Sequence, residues 1–281
     1  MADSDTVLRR ARRFRALHDQ PGIFVAGNPW DTGTARILAK LGFAALATTS
    51  AGLAFSLGRV DGAGAVTADE SFEHARRIVD ATDLPVTADL ENGFGDDPET
   101  VARTIRRAGE IGLAGASIED ATYESDAPVY DRSLAVERIA AAVETARSLS
   151  RPFVLTARAE GFIRGRPDLD DVLGRLVDFE RAGADVLYAP GLPDTASIRR
   201  VRGATSRPLN FVVGVSPFRP SLEELRELGV KRVTTGTSFA RAALQGLLDA
   251  AREVVEEGTF EYTGRLKRVS ELNEFFSGGR R

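Results

Sequence analysis

A unit made of a short apolar strand, an amphipathic helix and a closing glycine recurs along nearly the whole chain at a pitch of about 30 residues, the size of one βα unit. This repeat constrains the fold more than any other feature. Ile23 to Ala26, Ala44 to Thr48, Pro85 to Ala88, Gly115 to Ile118, Phe153 to Ala157, Asp185 to Tyr188, Leu209 to Val213 and Lys231 to Thr234 read as eight strands. Thr34 to Leu41, Ala68 to Ala81, Pro98 to Ile111, Ser133 to Ser148, Leu169 to Ala182, Thr195 to Arg202, Leu222 to Glu227 and Phe239 to Glu256 read as helices. Gly42, Gly112, Gly183 and Gly229 stand where a helix C-cap is wanted just before the next strand. Eight such units in 281 residues predict the α/β class and a (β/α)8 TIM-type barrel over about residues 22–257. One domain is expected to span 1–281, with an extra helix before the barrel and a helical extension, Ser270 to Phe276, after it. A doubly wound open sheet would want a glycine fingerprint after the first strand, and Gly27-Asn28-Pro29-Trp30 is not one.

Composition narrows the function classes. A net charge of -4 with 28% charged residues gives no footprint for nucleic acid. Cysteine is absent, which removes disulfides, thiolate metal sites and a cysteine nucleophile. Only His18 and His74 are available, too few for a histidine metal site or triad, and both read as surface residues. The basic cluster Arg9, Arg10, Arg12, Arg13 and Arg15 interleaves with Val7, Ala11, Phe14 and Leu17 at helical spacing, which predicts a helix with a solvated arginine face. No apolar run approaches the roughly 20 residues that span a bilayer, and the N-terminal segment has no apolar signal core, so no membrane partner and a cytoplasmic location are expected.

In a barrel of this kind the C-terminal ends of the strands build the active site. Those ends carry Trp30 and Asp31, then Thr48, Thr49 and Ser50, then Asp89 and Glu91, Glu119 and Asp120, Arg158 and Glu160, Tyr188, Asn210, and Thr234 with Thr235. Asp31 also suits the N-cap of the helix that follows it. Asp89 and Glu91 sit two apart, so an extended chain would turn both carboxylates to one face and Leu90 to the other. Hard oxygen donors at one point suit Mg²⁺ or Mn²⁺. Arg158 opposite such an ion would clamp a carboxylate, and a metal chelated by a 2-oxo acid would stabilise an enolate.

The runs ATTSAG (Ala47 to Gly52), LGRVDG (Leu57 to Gly62), ADLENGFG (Ala88 to Gly95), SIED (Ser117 to Asp120) and TARAE (Thr156 to Glu160) resemble, in that order, the isocitrate lyase and phosphoenolpyruvate mutase superfamily. The resemblance covers about residues 22–245. It implies metal positions at Asp89, Glu91, Asp61 and Glu119, with Glu91 standing where the family has a second Asp. It also implies that Thr49, Ser50 and Ala51 hold the substrate carboxylate through backbone N–H groups, and that Arg158 is the substrate-binding arginine. Asn210 joins them as a substrate-binding candidate at its strand end. Homotetramers built through the last barrel helix are implied too; Phe239, Ala242, Ala243, Leu247, Ala250, Ala251 and Val254 form a compatible apolar stripe.

The loop after the fourth strand departs from the family. Lyases there carry a K-[KR]-C-G-H type motif, and phosphonate enzymes an E-D-K-x-F-P-K loop, whereas Ala121 to Asp131 holds no Cys, Lys or His. The loop is expected to act as a lid, with Tyr123 or Glu124 replacing the missing proton-transfer group. The expected activity is a Mg²⁺-dependent lyase acting on a small 2-oxo or 2-hydroxy acid through an enolate, with carbon–carbon chemistry preferred. The alternatives are a phosphonopyruvate mutase or hydrolase, helped by Arg164 or Arg166, and a 2-oxo acid binding protein without catalysis.

Overall fold

The computed structural model of the protein describes residues 3–277. Eight strands close into an all-parallel barrel in sequence order: β1 (Phe24–Gly27), β2 (Ala45–Ala47), β3 (Val86–Asp89), β4 (Gly115–Glu119), β5 (Val154–Arg158), β6 (Val186–Tyr188), β7 (Leu209–Val212) and β8 (Arg232–Thr234), which pairs back to β1. The outer ring begins with α2 (Thr32–Lys40), α4 (Ala68–Ala81), α5 (Pro98–Glu110) and α6 (Arg132–Ser148), and continues with α7 (Leu169–Arg181), α8 (Thr195–Ala204) and α9 (Leu222–Glu227). All of these helices but α6 start where a side chain takes up a first-turn N–H: Asp31, Thr67, Asp97, Asp168, Asp194 and Ser221 each accept from the backbone two or three residues on. The main core lies between strands and helices, from Leu46, Val86 and Ile118 to Phe179, Leu187 and Phe211.

The barrel's interior is lined by small residues. Ala26, Ala45 and Ala47 share it with Phe24, Val154 and Val186, and the plug comes from α1 (Ser4–Asp19), whose Phe14 joins that cluster at the strands' N-terminal ends. Gly115 permits the approach, since a Cβ there would stand 2.5 Å from Val154 O and 3.0 Å from the Phe14 ring.

Three expectations about surface residues fail, each because burial is matched by specific partners. Arg10 is buried, not solvated; it donates to Val79 O and Thr82 O and pairs with Asp83 at 3.1 Å. Arg15 pairs with Asp185, leaving Arg9, Arg12 and Arg13 as the solvated face. His74 is half-buried, its Nε2 2.9 Å from Trp30 O. His18 is buried between the rings of Phe14 and Phe24, and burial pulls its pKa down to about 3, with the Arg232 charge adding to the effect.

A group depressed on folding contributes stability that is present above its unfolded value near 6.5 and is lost as pH falls toward the folded value. His18 should therefore cost up to about 1.4 kcal/mol per pH unit below 6.5. Urea melts at pH 6.5, 5.5 and 4.5 should show a shallower decline for His18→Gln than for the parent; equal slopes would place the acid sensitivity elsewhere.

Two connections and the C-terminal part also depart from expectation. Ser50–Ser56 is a short helix, α3, between β2 and α4 that the strand–helix repeat does not include, and a 3-10 turn, Gly161–Arg164, follows β5. The last barrel helix, α10 (Ser238–Arg252), runs on into a π-helical turn, Glu253–Glu257, but does not seal the ring. Of α10 only Ala240 is buried; Arg241 to Asp249 are all exposed, Leu247 at 65%. The chain returns through a second 3-10 turn, Glu261–Arg265, to α11 (Val269–Ser277), which rests on α2: Arg36 donates to Phe276 O and Lys40 lies over the Phe275 ring. The expected tail helix is thus present. No described helix is long and apolar enough to cross a membrane.

Candidate active site

The strand ends surround a cavity of about 150 Å³ at the barrel's C-terminal mouth. Its walls include Thr49, Ser50, Ala51, Asp61, Asp89, Arg158, Tyr188 and Asn210. Trp30 and Phe55 are not among its lining residues.

Asp89, the last residue of β3, is the hub. Its Oδ2 accepts from Ser50 Oγ at 2.9 Å, and its Oδ1 lies 2.7 Å from Arg158 Nη1. Ser50 is placed by α3, whose N-cap Thr49 accepts from Gly52 N. Arg158 Nη1 also stands 3.2 Å from Glu119, at the end of β4, and its Nε 3.0 Å from Glu160. Among the described residues no partner takes Arg158 Nη2, and the Tyr188 ring lies 5.0 Å from the guanidinium carbon.

Glu91 reaches the cluster by a different route from the one expected. The chain leaves the extended conformation after Asp89: Glu91 sits at φ 48° and Phe94 at φ 63°, and Gly93 N donates to Leu90 O. Left-handed backbone at two non-glycine residues needs outside support. Arg138, buried on α6, supplies it by donating to the carbonyls of Asn92, Gly95 and Asp96, while Tyr130 accepts from Asn92 and donates to Asp96 at 2.6 Å. Leu90 points into the core as expected.

The charges of Asp89 and Glu119 raise the acids beside them. Burial, then Asp89 and Glu119, push Glu91 up to about 7. Asp61 is exposed at the rim, yet its carboxyl is also raised by the protein packed around it and by the same two acids. Glu160 is fully buried and pushed up by burial, with Arg158 opposing the shift. Asp120 turns away to bond Glu160 N and Arg175, bracing the ends of β4 and β5.

Over this cluster lies the loop after β4, closed on itself as a hairpin: Ala121 pairs with Val129 and Thr122 N donates to Pro128 O. Tyr123 reaches down and donates its hydroxyl to Glu91 Oε2 at 2.9 Å, with its ring against Gly64 of the Val60–Gly64 turn, where a Cβ would stand 3.3 Å away and φ is 61°. Burial and the Glu91 charge hold the Tyr123 hydroxyl well above its ordinary pKa, so it is a held proton. Glu124, the other candidate, is exposed and bonds only through its backbone to Thr122.

Arg164, named above for the phosphonate alternative, belongs here, as do Asn28 and Arg232, which no motif singled out. Arg164 pairs with Glu119 at 3.1 Å, and a Cβ on Gly62 would meet its Nη1 at 3.0 Å, whereas Arg166 is exposed. Asn28 spans the mouth from Thr48 O to the backbone of Thr235 and Gly236. Arg232 lines the cavity floor. Nothing in the repeat marks these; only the arginine's place on a barrel strand could have singled out Arg232.

Among the described residues no three acidic or histidine side chains stand close enough to ligate one ion together. The donor set still fits a hard divalent cation that keeps several of its waters, because all four acids offer oxygen and their mutual repulsion is what such a charge relieves.

The sequence pattern of the phosphoenolpyruvate phosphomutase family matches residues 14–255. A Burkholderia cenocepacia J2315 protein described as a lyase/mutase is 52% identical, with 99% of each chain covered and a TM-score of 0.96. "Probable 2-methylisocitrate lyase 1" of Corynebacterium glutamicum is 29% identical, covering 95% of this chain and 88% of its own. Oxaloacetate acetylhydrolase, solved with the product oxalate, is 26% identical at a TM-score of 0.83, with 94% and 93% covered. The chain belongs to the phosphoenolpyruvate phosphomutase family, within the isocitrate lyase and phosphoenolpyruvate mutase superfamily.

Proposed function

We propose that this chain is a Mg²⁺- or Mn²⁺-dependent lyase that makes or breaks a carbon–carbon bond beta to the carboxylate of a small 2-oxo or 2-hydroxy acid. One observation carries the reading: Asp89, Glu119 and Glu160 converge on Arg158, and Glu91 takes the Tyr123 hydroxyl, beneath the loop after β4. Asp89 would hold the ion, with Glu91, Asp61 and Glu119 joined to it through water. Such an ion, when bound, would supply Lewis acidity at the keto oxygen of the substrate.

The chain's own groups do the rest. Ser50 and the N–H groups of the Thr49–Ala51 segment face the substrate carboxylate, and the Nη2 edge of Arg158 is left to meet it, its other nitrogens being spent on Asp89, Glu119 and Glu160. Asn210 fixes the far wall by donating to Thr234 Oγ1. The loop excludes water, and Tyr123 holds a proton over the reacting centre. Removing that proton donor should lower kcat by roughly 10² to 10⁴ while substrate affinity changes little. Tyr123→Phe, assayed beside Glu124→Gln, checks this: loss in the first alone is expected, and parental turnover in both would leave the loop without the role.

A second reading has one observation in its favour. Arg164 at Glu119 puts a cation where the loop has none, as phosphonate chemistry would want. A phosphorus NMR time course with phosphonopyruvate separates the two, and tight binding without turnover of any acid would favour a non-catalytic binder.

The exposed face of α10, with Leu244, Leu247 and Leu248 in solvent, supports assembly through that helix into a homotetramer. Light scattering should find an oligomer that Leu247→Asp shifts toward monomer; a monomeric parent protein would remove the idea.

A further inference from the structure

The cavity floor carries a cation that the chain does not neutralise. Arg232, the first residue of β8, is 3% exposed and lines the cavity from below. Its Nε donates to Asn210 Oδ1 at 2.7 Å and its Nη2 to Thr156 Oγ1 at 3.0 Å, and Nη1 lies 3.4 Å from His18 Nε2. Every one of these partners is neutral. His18 Nδ1 sits 2.8 Å from Phe14 O, which places the ring proton there and leaves the Nε2 lone pair to Arg232.

The other buried arginines are accounted for differently. Arg158 has three carboxylates, Arg175 has Asp120 and Asp171, and Arg10 has Asp83. Arg138 lacks a carboxylate but is spent on three carbonyls of the β3 loop. Among the described residues Arg232 has no ion pair although it lines the cavity; burial pulls its pKa down to about 10, with only Tyr188 opposing the shift. Barrel centres are ordinarily filled by branched apolar side chains, and a bare buried charge is costly. Here the neighbouring walls are small or polar (Ala47, Thr87, Ala88, Ser117), so the cavity extends down to the guanidinium. Arg158 pairs in register with Tyr188, Tyr188 with Asn210 and Asn210 with Arg232, so the two arginines stand on opposite sides of the Tyr188–Asn210 pair.

Resting on the reading of the mouth as a 2-oxo acid site, we propose that Arg232 is a specificity-determining residue whose missing counter-ion is a second carboxylate of the substrate, bound downward on the barrel floor. One end of a short dianionic acid would lie on Ser50 and Arg158 and the other on Arg232. A monoanion would leave Arg232 bare, so the site should discriminate by charge at the substrate's far end. A charged hydrogen-bonded pair of this kind is worth about 10- to 100-fold in affinity.

The test is competitive binding to the Mg²⁺-loaded full-length protein with three probes: oxalate, which needs only the metal end, pyruvate as a monoanion, and oxaloacetate as a dianion. The parent should bind oxaloacetate at least about 10-fold more tightly than pyruvate. Arg232→Gln should lose most of that preference with oxalate and pyruvate nearly unchanged, and Arg232→Lys should restore part of it. A Gln variant that weakens all three probes alike, or keeps the dianion preference, overturns the proposal. Should that variant not fold, the parent decides alone, since equal affinity for pyruvate and oxaloacetate is also fatal. Failure of oxalate to bind the parent with Mg²⁺ would instead indict the metal site.

Discussion

Asp89→Ala should lose metal-dependent turnover by about 10³-fold or more, because the Lewis-acid contribution of a bound ion is several kcal/mol and this carboxylate is the one proposed to hold it. Asp89 bonds Ser50 on one oxygen and Arg158 on the other, so its removal also frees the two groups proposed to meet the substrate carboxylate. The fold should survive. Arg158 keeps Glu119 and Glu160, the lost side chain lines a cavity rather than a packed layer, and one member of a mutually repelling cluster is gone. Unfolding free energy within about 1–2 kcal/mol of the parent is expected, since no core contact is deleted. Calorimetric titration with Mg²⁺ checks the binding half: equal affinity in variant and parent would show the ion to be held elsewhere.

The barrel was legible in the sequence because each unit states its own punctuation. Asp31 and Thr67 cap, Gly42 and Gly112 end, and parallel strands buried on both faces read as apolar runs. The acids at the mouth followed from strand ends alone. What escaped was whatever depends on a partner distant in sequence. Arg10 and His18 look solvated until partners 69 and 214 residues away, Val79 and Arg232, are folded against them. The α10 stripe has the periodicity of a barrel-packed helix, and a stripe does not say whether it faces its own barrel or another copy. Glu91 was placed on the right side of the site for the wrong local reason, since its left-handed turn is imposed by Arg138 on α6.

Arg158→Met should be the most damaging single change to stability and activity together. The guanidinium stands among Asp89, Glu119 and the fully buried Glu160, and removing it leaves three carboxylates with only Arg164 nearby. Breaking a buried pair by deleting one partner costs about 3–5 kcal/mol. Turnover should fall by at least about 10³-fold, as the substrate carboxylate loses its clamp. The loss has a pH signature. Glu160 is already raised, and without Arg158 it rises further; a raised carboxyl contributes stability at low pH that is lost as pH climbs through its folded value. The variant should therefore lie closer to the parent at pH 5 than at pH 8. Arg158→Lys should recover part of the stability and little of the activity, since an ammonium cannot span Asp89 and Glu160 from separate nitrogens. Denaturant melts at both pH values check this, and a deficit independent of pH would mean that Glu160 does not carry the strain.

The central claim is that the acids at the barrel mouth support metal-dependent carbon–carbon chemistry on a 2-oxo or 2-hydroxy acid. Proton NMR of the full-length protein with a panel of such acids, with Mg²⁺ and then with excess chelator, tests it most directly. Cleavage or condensation products that appear only with the metal, and vanish in Asp89→Ala, are the predicted result; turnover that persists in chelator, or no turnover of any acid although Mg²⁺ and oxalate bind, would contradict it.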